Sequence, residues 1–478
     1  MVALLIIGMF AALPASGQEI SAESNSSGSH SNNGRSVNRW RTTSGVSDFN
    51  VETRGSIELT DDDKDVKSLS DDGYLEITKT VFGARRQIVI ESLGGGKIRR
   101  EYYEGRTKME WDPNGRNWLG EILPELVRST TLGAGGRVNR IFQKGGAAAV
   151  LEEIGKLNGD YTKAHYAKLL LGKNIPSADM ANVVSRIADE IHSDYYLASV
   201  YQNHVEKMLV TPASANAFYQ GTQHIGSDYY KSVVLKEALK KFSASPAQIK
   251  TILQSAASIK SDYYLSVVLS ALLEEDGLKD ESLEELISVS ANIPSAYYRS
   301  QVLGKALQKK GLSAKAQKEL VSSLSGVSSD YYKTGVVTKM AESGTMDKGV
   351  QTELITLVSN SVSSDYYAAV ALKSILEHQE LTDASFKQVV IAGGKLNSAN
   401  YASEVLKRAG KGQLNKEQLI ELLTASGSIN SDHYLSEVLT NVAGQVKNSD
   451  QQVKDAYRQA AKRIKNETYY GRALKAID

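Results

Sequence analysis

The sequence predicts a mainly α-helical protein, an α-solenoid of about nine 34-residue two-helix repeats of the HEAT or TPR kind, preceded by a small antiparallel β-domain. Three observations predict this class. A short tyrosine-containing block recurs at a nearly fixed interval from residue 159 onwards. Apolar residues follow each block at helical spacing. Residues 47–111 instead alternate apolar and polar positions, as a strand does.

The composition favours a soluble binding protein over an enzyme or a nucleic-acid partner. Lys and Arg total 56 and Asp and Glu total 55 in 478 residues, so no basic excess favours nucleic acid or an anionic membrane. The chain has no cysteine, which excludes disulfides, thiol catalysis and cysteine zinc sites. We therefore expect no cofactor, no metal and a non-enzymatic role.

Residues 1–17 are predicted to be a signal peptide. An apolar run from Val2 to Leu13 is followed by Ala15, Ser16 and Gly17, and cleavage there would leave Gln18 as the first residue. No Lys or Arg precedes the run, so a second interpretation is the end of a membrane helix; as it stands the run is shorter than the ~20 residues of a spanning helix. Both place the rest of the chain outside the cytoplasm, periplasmic or secreted, and we expect no membrane insertion of the mature chain.

Residues 18–46 are rich in Ser, Asn and Gly and are predicted to be a disordered linker. Residues 47–111 form the predicted β-meander domain, with Gly83 and Gly94 at breaks between strands. An acidic turn at residues 61–65 has carboxylates at alternate positions. This spacing suits calcium, but Val66 stands where a calcium loop needs glycine, so a solvated turn is the main interpretation.

Residues 112–157 are predicted to be connecting helices. Asp112 and Pro113 resemble a helix N-cap followed by proline at the first helical position. Beyond them, two short helices are expected on either side of Gly145 and Gly146, which break the helical pattern.

Residues 158–478 form the predicted α-helical repeat domain. Eight copies of a block beginning with Ser start at Ser193, Ser227, Ser261, Ser295, Ser329, Ser364, Ser398 and Ser431. Five of the successive intervals are 34 residues, one is 35 and the last is 33. Weaker copies begin at Gly159 and Glu467. In the commonest form, Ser-Asp-Tyr-Tyr, Ser is expected to cap the N-terminus of a helix. Asp follows it in the first turn, where the helix dipole favours a negative charge.

The first tyrosine of each pair is the candidate partner-binding residue. In one interpretation it packs on the preceding repeat, while the second tyrosine is buried between helices with its hydroxyl on a backbone group. In the other, the first tyrosines stay partly exposed and stacking of repeats aligns them. The candidate contacts are Tyr195, Tyr229, Tyr263, Tyr297, Tyr331 and Tyr366.

Three stretches follow one another in a fixed order: EYYEGRTKMEWDPNGRNWLGEILPELVRST, RVNRIFQKGGAAAVLEEI and the SDYY repeats. Together they resemble a bacterial family of extracytoplasmic helical-repeat regions. In that family the region occurs alone or as the tail of membrane zinc peptidases of the antirepressor, beta-lactam-sensor type. The resemblance covers roughly residues 47–478 and implies the architecture but no chemistry.

The peptidase activity does not follow from this resemblance. It needs His-Glu-x-x-His, and none of the seven histidines lies in that pattern. The leading hypothesis is a non-enzymatic extracytoplasmic protein for protein–protein interaction or scaffolding. The alternative is the sensor or regulatory tail of a membrane-bound zinc metallopeptidase.

Overall fold

A computed structural model describes residues 37–44, 46–275, 278–309 and 311–478. The predicted signal peptide at residues 1–17 and the predicted linker up to residue 36 lie outside these ranges. The chain divides into two compact units, one ending at Ala217 and one spanning Phe218–Asp478. The boundary therefore falls inside the predicted repeat domain. Within the described ranges, no helix combines the length and apolarity that crossing a membrane requires.

The first unit opens with the predicted antiparallel β-domain. Its strands are β1 (Val37–Ser44), β2 (Ser47–Arg54), β3 (Ile57–Leu59), β4 (Val66–Leu69), β5 (Tyr74–Val81), β6 (Ala84–Ser92), β7 (Ile98–Glu104) and β8 (Thr107–Met109). Six of them form one antiparallel sheet in the order β1-β2-β5-β6-β7-β8, and β3 and β4 form a separate hairpin between β2 and β5. Strand β1 lies in the predicted linker, so the sheet begins earlier than the sequence pattern indicates.

Helix α1 (Arg116–Ser129) covers the apolar side of the β-domain. Val51, Ile77 and Ile88 lie opposite one another across β2, β5 and β6 and are fully buried, as their alternation predicts. Leu119 and Leu126 of the helix belong to the same buried cluster. Helix α1 is thus part of the β-domain core, although the sequence assigns it to the connecting segment.

The predicted helix start at Asp112 is wrong in detail. A short irregular segment spans Trp111–Gly115, and no side chain caps it. The Asp112 carboxylate instead accepts a hydrogen bond from the Arg116 guanidinium, 2.6 Å from Nε to Oδ1. The next helix, α2 (Ala134–Lys156), has non-helical backbone angles at Gly145 and Gly146, which confirms the predicted break.

Basic side chains of α2 bind the acidic turn of the β3–β4 hairpin. Arg137 is 4% exposed, and its guanidinium donates to Asp63 and Glu153 at 2.8 Å and to the Tyr166 hydroxyl at 2.6 Å. Arg140 donates to the other oxygen of Asp63 at 2.6 Å. Burial disfavours the Arg137 charge, but these partners outweigh it and raise the pKa of the guanidinium. The turn is therefore neither a calcium loop nor simply solvated.

The helices that follow form pairs, in which an A helix begins at the repeat block and a B helix returns. The pairs in order are α3 (Asp160–Leu171) and α4 (Met180–Glu190), α5 (Asp194–Met208) and α6 (Pro212–Gly221), α7 (Asp228–Lys241) and α8 (Pro246–Ala256), α9 (Asp262–Leu272) and α10 (Asp280–Ser290), α11 (Ala296–Ala306) and α12 (Ala314–Ser325), α13 (Asp330–Glu342) and α14 (Lys348–Ser361), α15 (Asp365–His378) and α16 (Asp383–Gly394), α17 (Ala399–Ala409) and α18 (Lys416–Ser426), and α19 (Asp432–Lys447) and α20 (Gln451–Ala461). A last helix, α21, spans Glu467–Ile477. The described residues thus contain nine helix pairs, which confirms the α-solenoid class.

Within the second unit the pairs stack in two layers. A helices pack on A helices of neighbouring repeats, as α9 does on α7 and α11, and B helices pack likewise on B helices. The apolar stripe predicted from helical spacing is buried: Val268 and Leu272 of α9 and Leu286 of α10 are 0% exposed. Each pair buries its apolar face mainly against its neighbours, as a repeat architecture requires.

Candidate functional site

The repeat blocks place two tyrosines in the first turn of successive A helices. The serine of each block is the N-cap residue, with extended backbone angles, as at Ser261, where φ is −76° and ψ is 118°. Its side chain accepts a hydrogen bond from the first turn at Ser227, Ser295 and Ser398. The helix starts are confirmed, and the two tyrosines that follow point in directions about 100° apart around the helix.

The first tyrosine of each pair, here called the outer tyrosine, is exposed. The exposed fractions are 55% at Tyr195, 50% at Tyr229, 50% at Tyr263, 47% at Tyr297, 61% at Tyr331 and 51% at Tyr366. The second, or inner, tyrosines are half-buried rather than buried, as at Tyr264 and Tyr298. The inner rings are thus less buried than the first interpretation expects, and the outer rings are exposed, as the second interpretation expects.

The rings of the second unit form one continuous chain of edge-to-face contacts. Tyr263 contacts the inner ring of its own block, Tyr264, at 5.1 Å between centroids, and the inner ring of the next block, Tyr298, at 5.7 Å. The same two contacts recur from Tyr229 to Tyr401. We call this series of ring contacts the tyrosine ladder. Its outer rings are Tyr229, Tyr263, Tyr297, Tyr331 and Tyr366, and its inner rings are Tyr230, Tyr264, Tyr298, Tyr332, Tyr367 and Tyr401. Tyr195 lies in the first unit, where it contacts Tyr196 at 5.1 Å.

The ladder is interrupted at one block and resumes in the next. Asn400 occupies the outer position of the block that contains Tyr401, and its amide donates weakly to Glu404 at 3.4 Å. In the following block His433 takes the outer position, with its ring 4.9 Å from Tyr434 and 5.5 Å from Tyr469. An imidazole thus reproduces both ring contacts of an outer tyrosine, so the site is an aromatic surface rather than a strictly tyrosine one.

The aspartate of the block has a role that sequence reasoning missed. Its Oδ2 accepts a hydrogen bond from the backbone amide at the start of the next block, 33 or 34 residues later. The N-to-O distances are 2.8 Å from Ser261 to Asp228, 2.8 Å from Ser295 to Asp262, 2.8 Å from Ser364 to Asp330, 2.7 Å from Ser398 to Asp365 and 2.7 Å from Asn466 to Asp432. We call this contact the aspartate clasp. The regular interval between aspartates was the only signal for it.

A buried cation follows the inner tyrosine in three blocks and binds carbonyl or hydroxyl groups at B-helix ends. Lys333 Nζ lies 2.7 Å from the Ser361 carbonyl, and Arg299 Nε lies 2.7 Å from the Ile293 carbonyl. Lys231 Nζ lies 2.5 Å from the Ser258 hydroxyl. Burial lowers the pKa of both Lys333 and Arg299. The charge of a nearby aspartate, Asp330 or Asp262, opposes this shift but does not cancel it. These charges satisfy helix C-termini, where cations are favoured.

The described residues contain no group of three or more His, Asp or Glu side chains placed to hold a metal ion. The tyrosine ladder combines apolar ring faces with hydroxyl groups that can donate and accept hydrogen bonds.

No protein-family model and no curated protein matches the chain. The solved structures that show some similarity include the following two. One is described as a "Circular tandem repeat protein with novel repeat topology and enhanced subunit contact surfaces", 13% identical, with 77% of this chain and 78% of that chain covered and a TM-score of 0.15. The other, described as "Computational Design of Self-Assembling Cyclic Protein Homooligomers", is 12% identical, with 69% and 96% covered and a TM-score of 0.11.

Proposed function

We propose that the protein is a non-enzymatic, extracytoplasmic helical-repeat protein that binds another protein along the tyrosine ladder. The exposure of the outer tyrosines is the main support for this proposal. Each is about half exposed although its ring is held by two other rings, and all five recur at the same place in successive repeats. The extracytoplasmic location rests on the predicted signal peptide.

A solvent-exposed tyrosine loses little conformational entropy on binding. Tyrosine has two side-chain torsions, and the edge-to-face contacts already restrict them before a partner arrives. Tyrosines are enriched at interface hot spots, where a few residues carry most of the binding energy. A row of five prearranged rings therefore suits an interaction surface better than a packing role.

The test compares outer and inner rings. The outer variant carries Tyr263→Asn, Tyr297→Asn and Tyr331→Asn, because asparagine already occupies this position at residue 400. We expect it to fold and to bind its partner at least 30-fold more weakly, since the loss of hot-spot tyrosines costs about 2 kcal/mol or more. The measurement is affinity capture with mass spectrometry, followed by a Kd for the purified captured protein.

The matched control carries Tyr264→Asn, Tyr298→Asn and Tyr332→Asn at the inner positions. These rings are half-buried, so this variant should lose more stability per site than the outer variant. When folded, it should bind the partner more tightly than the outer variant does. Thermal melts of both variants accompany the binding measurement. Unchanged affinity in a folded outer variant would refute the proposal.

A further inference from the structure

Each interval of the ladder is a slot lined by three rings. Tyr263 and Tyr297 are exposed, and both contact the half-buried Tyr298, at 5.7 and 5.0 Å between ring centroids. The ring planes meet at 63° and 65°. Steeply tilted rings make a series of ridges and slots, whereas a flat platform would require coplanar rings.

The same three-ring arrangement recurs along the second unit. Each slot consists of an outer ring, the inner ring of the next block and the outer ring of that block. The four complete slots are 229-264-263, 263-298-297, 297-332-331 and 331-367-366. A fifth begins at Tyr366 and Tyr401 but has Asn400 in place of its second outer ring. The surface therefore repeats one three-ring arrangement in successive repeats, with contacts of 5.7–6.1 Å between blocks.

The charged side chains beside the ladder form hydrogen bonds with backbone groups of the protein itself. The clasp aspartates bind backbone amides of the next block, as Asp262 does at Ser295 and Asp330 at Ser364. The cations Arg299 and Lys333 bind backbone carbonyls. Arg299 and Lys333 are buried, so the ladder itself exposes ring faces and phenolic hydroxyls, and a ligand that matches these groups needs no charge.

The interval between slots suits one particular backbone conformation. Packed helices lie about 8–10 Å apart, which sets the distance between successive A helices. A polyproline II helix rises about 3.1 Å per residue and repeats every three residues, or about 9.3 Å. One turn of such a chain therefore advances by one repeat of the ladder. Aromatic-lined grooves bind proline-rich segments in this way, since the segment is already extended and loses little entropy.

We propose that the tyrosine ladder binds a neutral, proline-rich segment of its partner in the polyproline II conformation, with one three-residue turn in each slot. Proline rings enter the slots, and the phenolic hydroxyls donate to the carbonyl groups of the segment, which carry no internal hydrogen bonds. The inference rests on the proposed function, because it names the part of a protein partner that the same surface recognises.

The test measures binding of fluorescently labelled peptides to the full chain by anisotropy. The probe is a Pro-Pro-Gln peptide of six triplets; the matched controls replace both prolines by glycine, or glutamine by lysine or glutamate. We expect the proline peptide to bind at least tenfold more tightly than the glycine peptide. Shortening it to two triplets should weaken binding at least tenfold, because the slots act together. The lysine and glutamate peptides should each bind within threefold of the glutamine peptide.

Two variants test the register. Tyr297→Asn removes an outer ring shared by two slots and should weaken binding at least fivefold, provided that its melting temperature shows it to be folded. Asn400→Tyr completes the fifth slot and should strengthen binding of the long peptide at least twofold while leaving the two-triplet peptide unchanged. A gain of binding cannot come from misfolding, so this second variant keeps the test decisive.

Equal binding of the proline and glycine peptides would overturn the inference, as would tighter binding of an uncharged β-linked hexasaccharide. A strong preference for the lysine peptide would refute the inference that the ligand is neutral. If the outer-ring variant loses its captured partner while no peptide binds, this inference fails and the proposed function stands. If the outer-ring variant keeps its partner, the proposed function fails as well.

Discussion

Removal of an aspartate clasp should destabilise the contact between two adjacent repeats. Asp330 is a strong case, since its Oδ2 accepts from the amides of Ser363 at 3.0 Å and Ser364 at 2.8 Å. Hydrogen bonds to a charged group contribute about 1.5–3 kcal/mol when removed. Asp330 is half-buried, so Asp330→Ala should cost about 2 kcal/mol, and Asp330→Asn, which keeps an acceptor, about 1 kcal/mol.

The chain offers a matched control and a gain-of-stability test. Asp280 lies in the first turn of α10, where the helix dipole favours its charge, so Asp280→Ala should cost about 0.3–1 kcal/mol. Ala296 occupies the clasp position in a block that lacks the aspartate. Ala296→Asp should create a clasp to the start of the next block and add about 1 kcal/mol.

Urea unfolding gives the free-energy change, and hydrogen exchange with mass spectrometry locates it. Because repeats contact mainly their neighbours, faster exchange in Asp330→Ala should concentrate at the start of α15. The reasoning is refuted if Asp330→Ala costs no more than Asp280→Ala, or if its faster exchange appears evenly along the second unit.

Two further predictions concern the first unit, whose unfolding can be followed by tryptophan fluorescence because all three tryptophans of the chain lie in it. Arg137→Met should destabilise this unit by about 3–5 kcal/mol, because Asp63 and Glu153 would keep their charges without their buried partner; a loss under 1 kcal/mol would contradict the network. Burial lowers the pKa of His165 and His204, each also near lysine, so the folded state binds fewer protons than the unfolded state below the ordinary histidine pKa of about 6.5. Stability should therefore be full above pH 6.5 and fall as the pH drops below it, and the double His→Gln variant should show a flatter dependence between pH 7 and 5.

The parts of the fold that the sequence predicts are those set by local periodicity. Apolar positions such as Val268 and Leu286 recur at helical spacing, and Ile77 and Ile88 alternate with polar neighbours as strand residues do. The repeat interval then multiplies a weak local signal, because each copy of the block indicates the same helix start. Helix pairs and the meander follow from these patterns without knowledge of any distant contact.

The parts that the sequence does not predict depend on pairing between distant residues. Arg137 meets Asp63 across 74 positions, and no periodicity connects an acidic turn with a helix that has other basic residues. Helix α1 has the spacing of any amphipathic helix, and its assignment to the β-domain depends on which apolar face it meets. The clasp has a backbone amide as donor, which every residue except proline possesses. The first two contacts leave no distinctive pattern in the sequence, and at the clasp the pattern marks the aspartate but not its partner.

The four residues of the block have separable roles, and the irregular copies show this. The copy at Ser295 has Ala296 instead of aspartate, yet Tyr297 contacts Tyr332 at 5.7 Å, the same distance that separates Tyr263 from Tyr298 in a copy with the clasp. The ring contacts therefore do not depend on the clasp.

The converse holds at Ser431, where Asp432 forms its clasp at 2.7 Å beside a histidine in the outer position. Since the clasp and the outer ring occur independently, the interval between rings is set by packing of the A helices, and the aspartate stabilises the stack without shaping the surface. Ala296→Asp should therefore raise stability while leaving peptide affinity within twofold of the parent chain. A change in affinity that tracks the change in stability would show instead that the ladder is adjustable and that the clasp controls it.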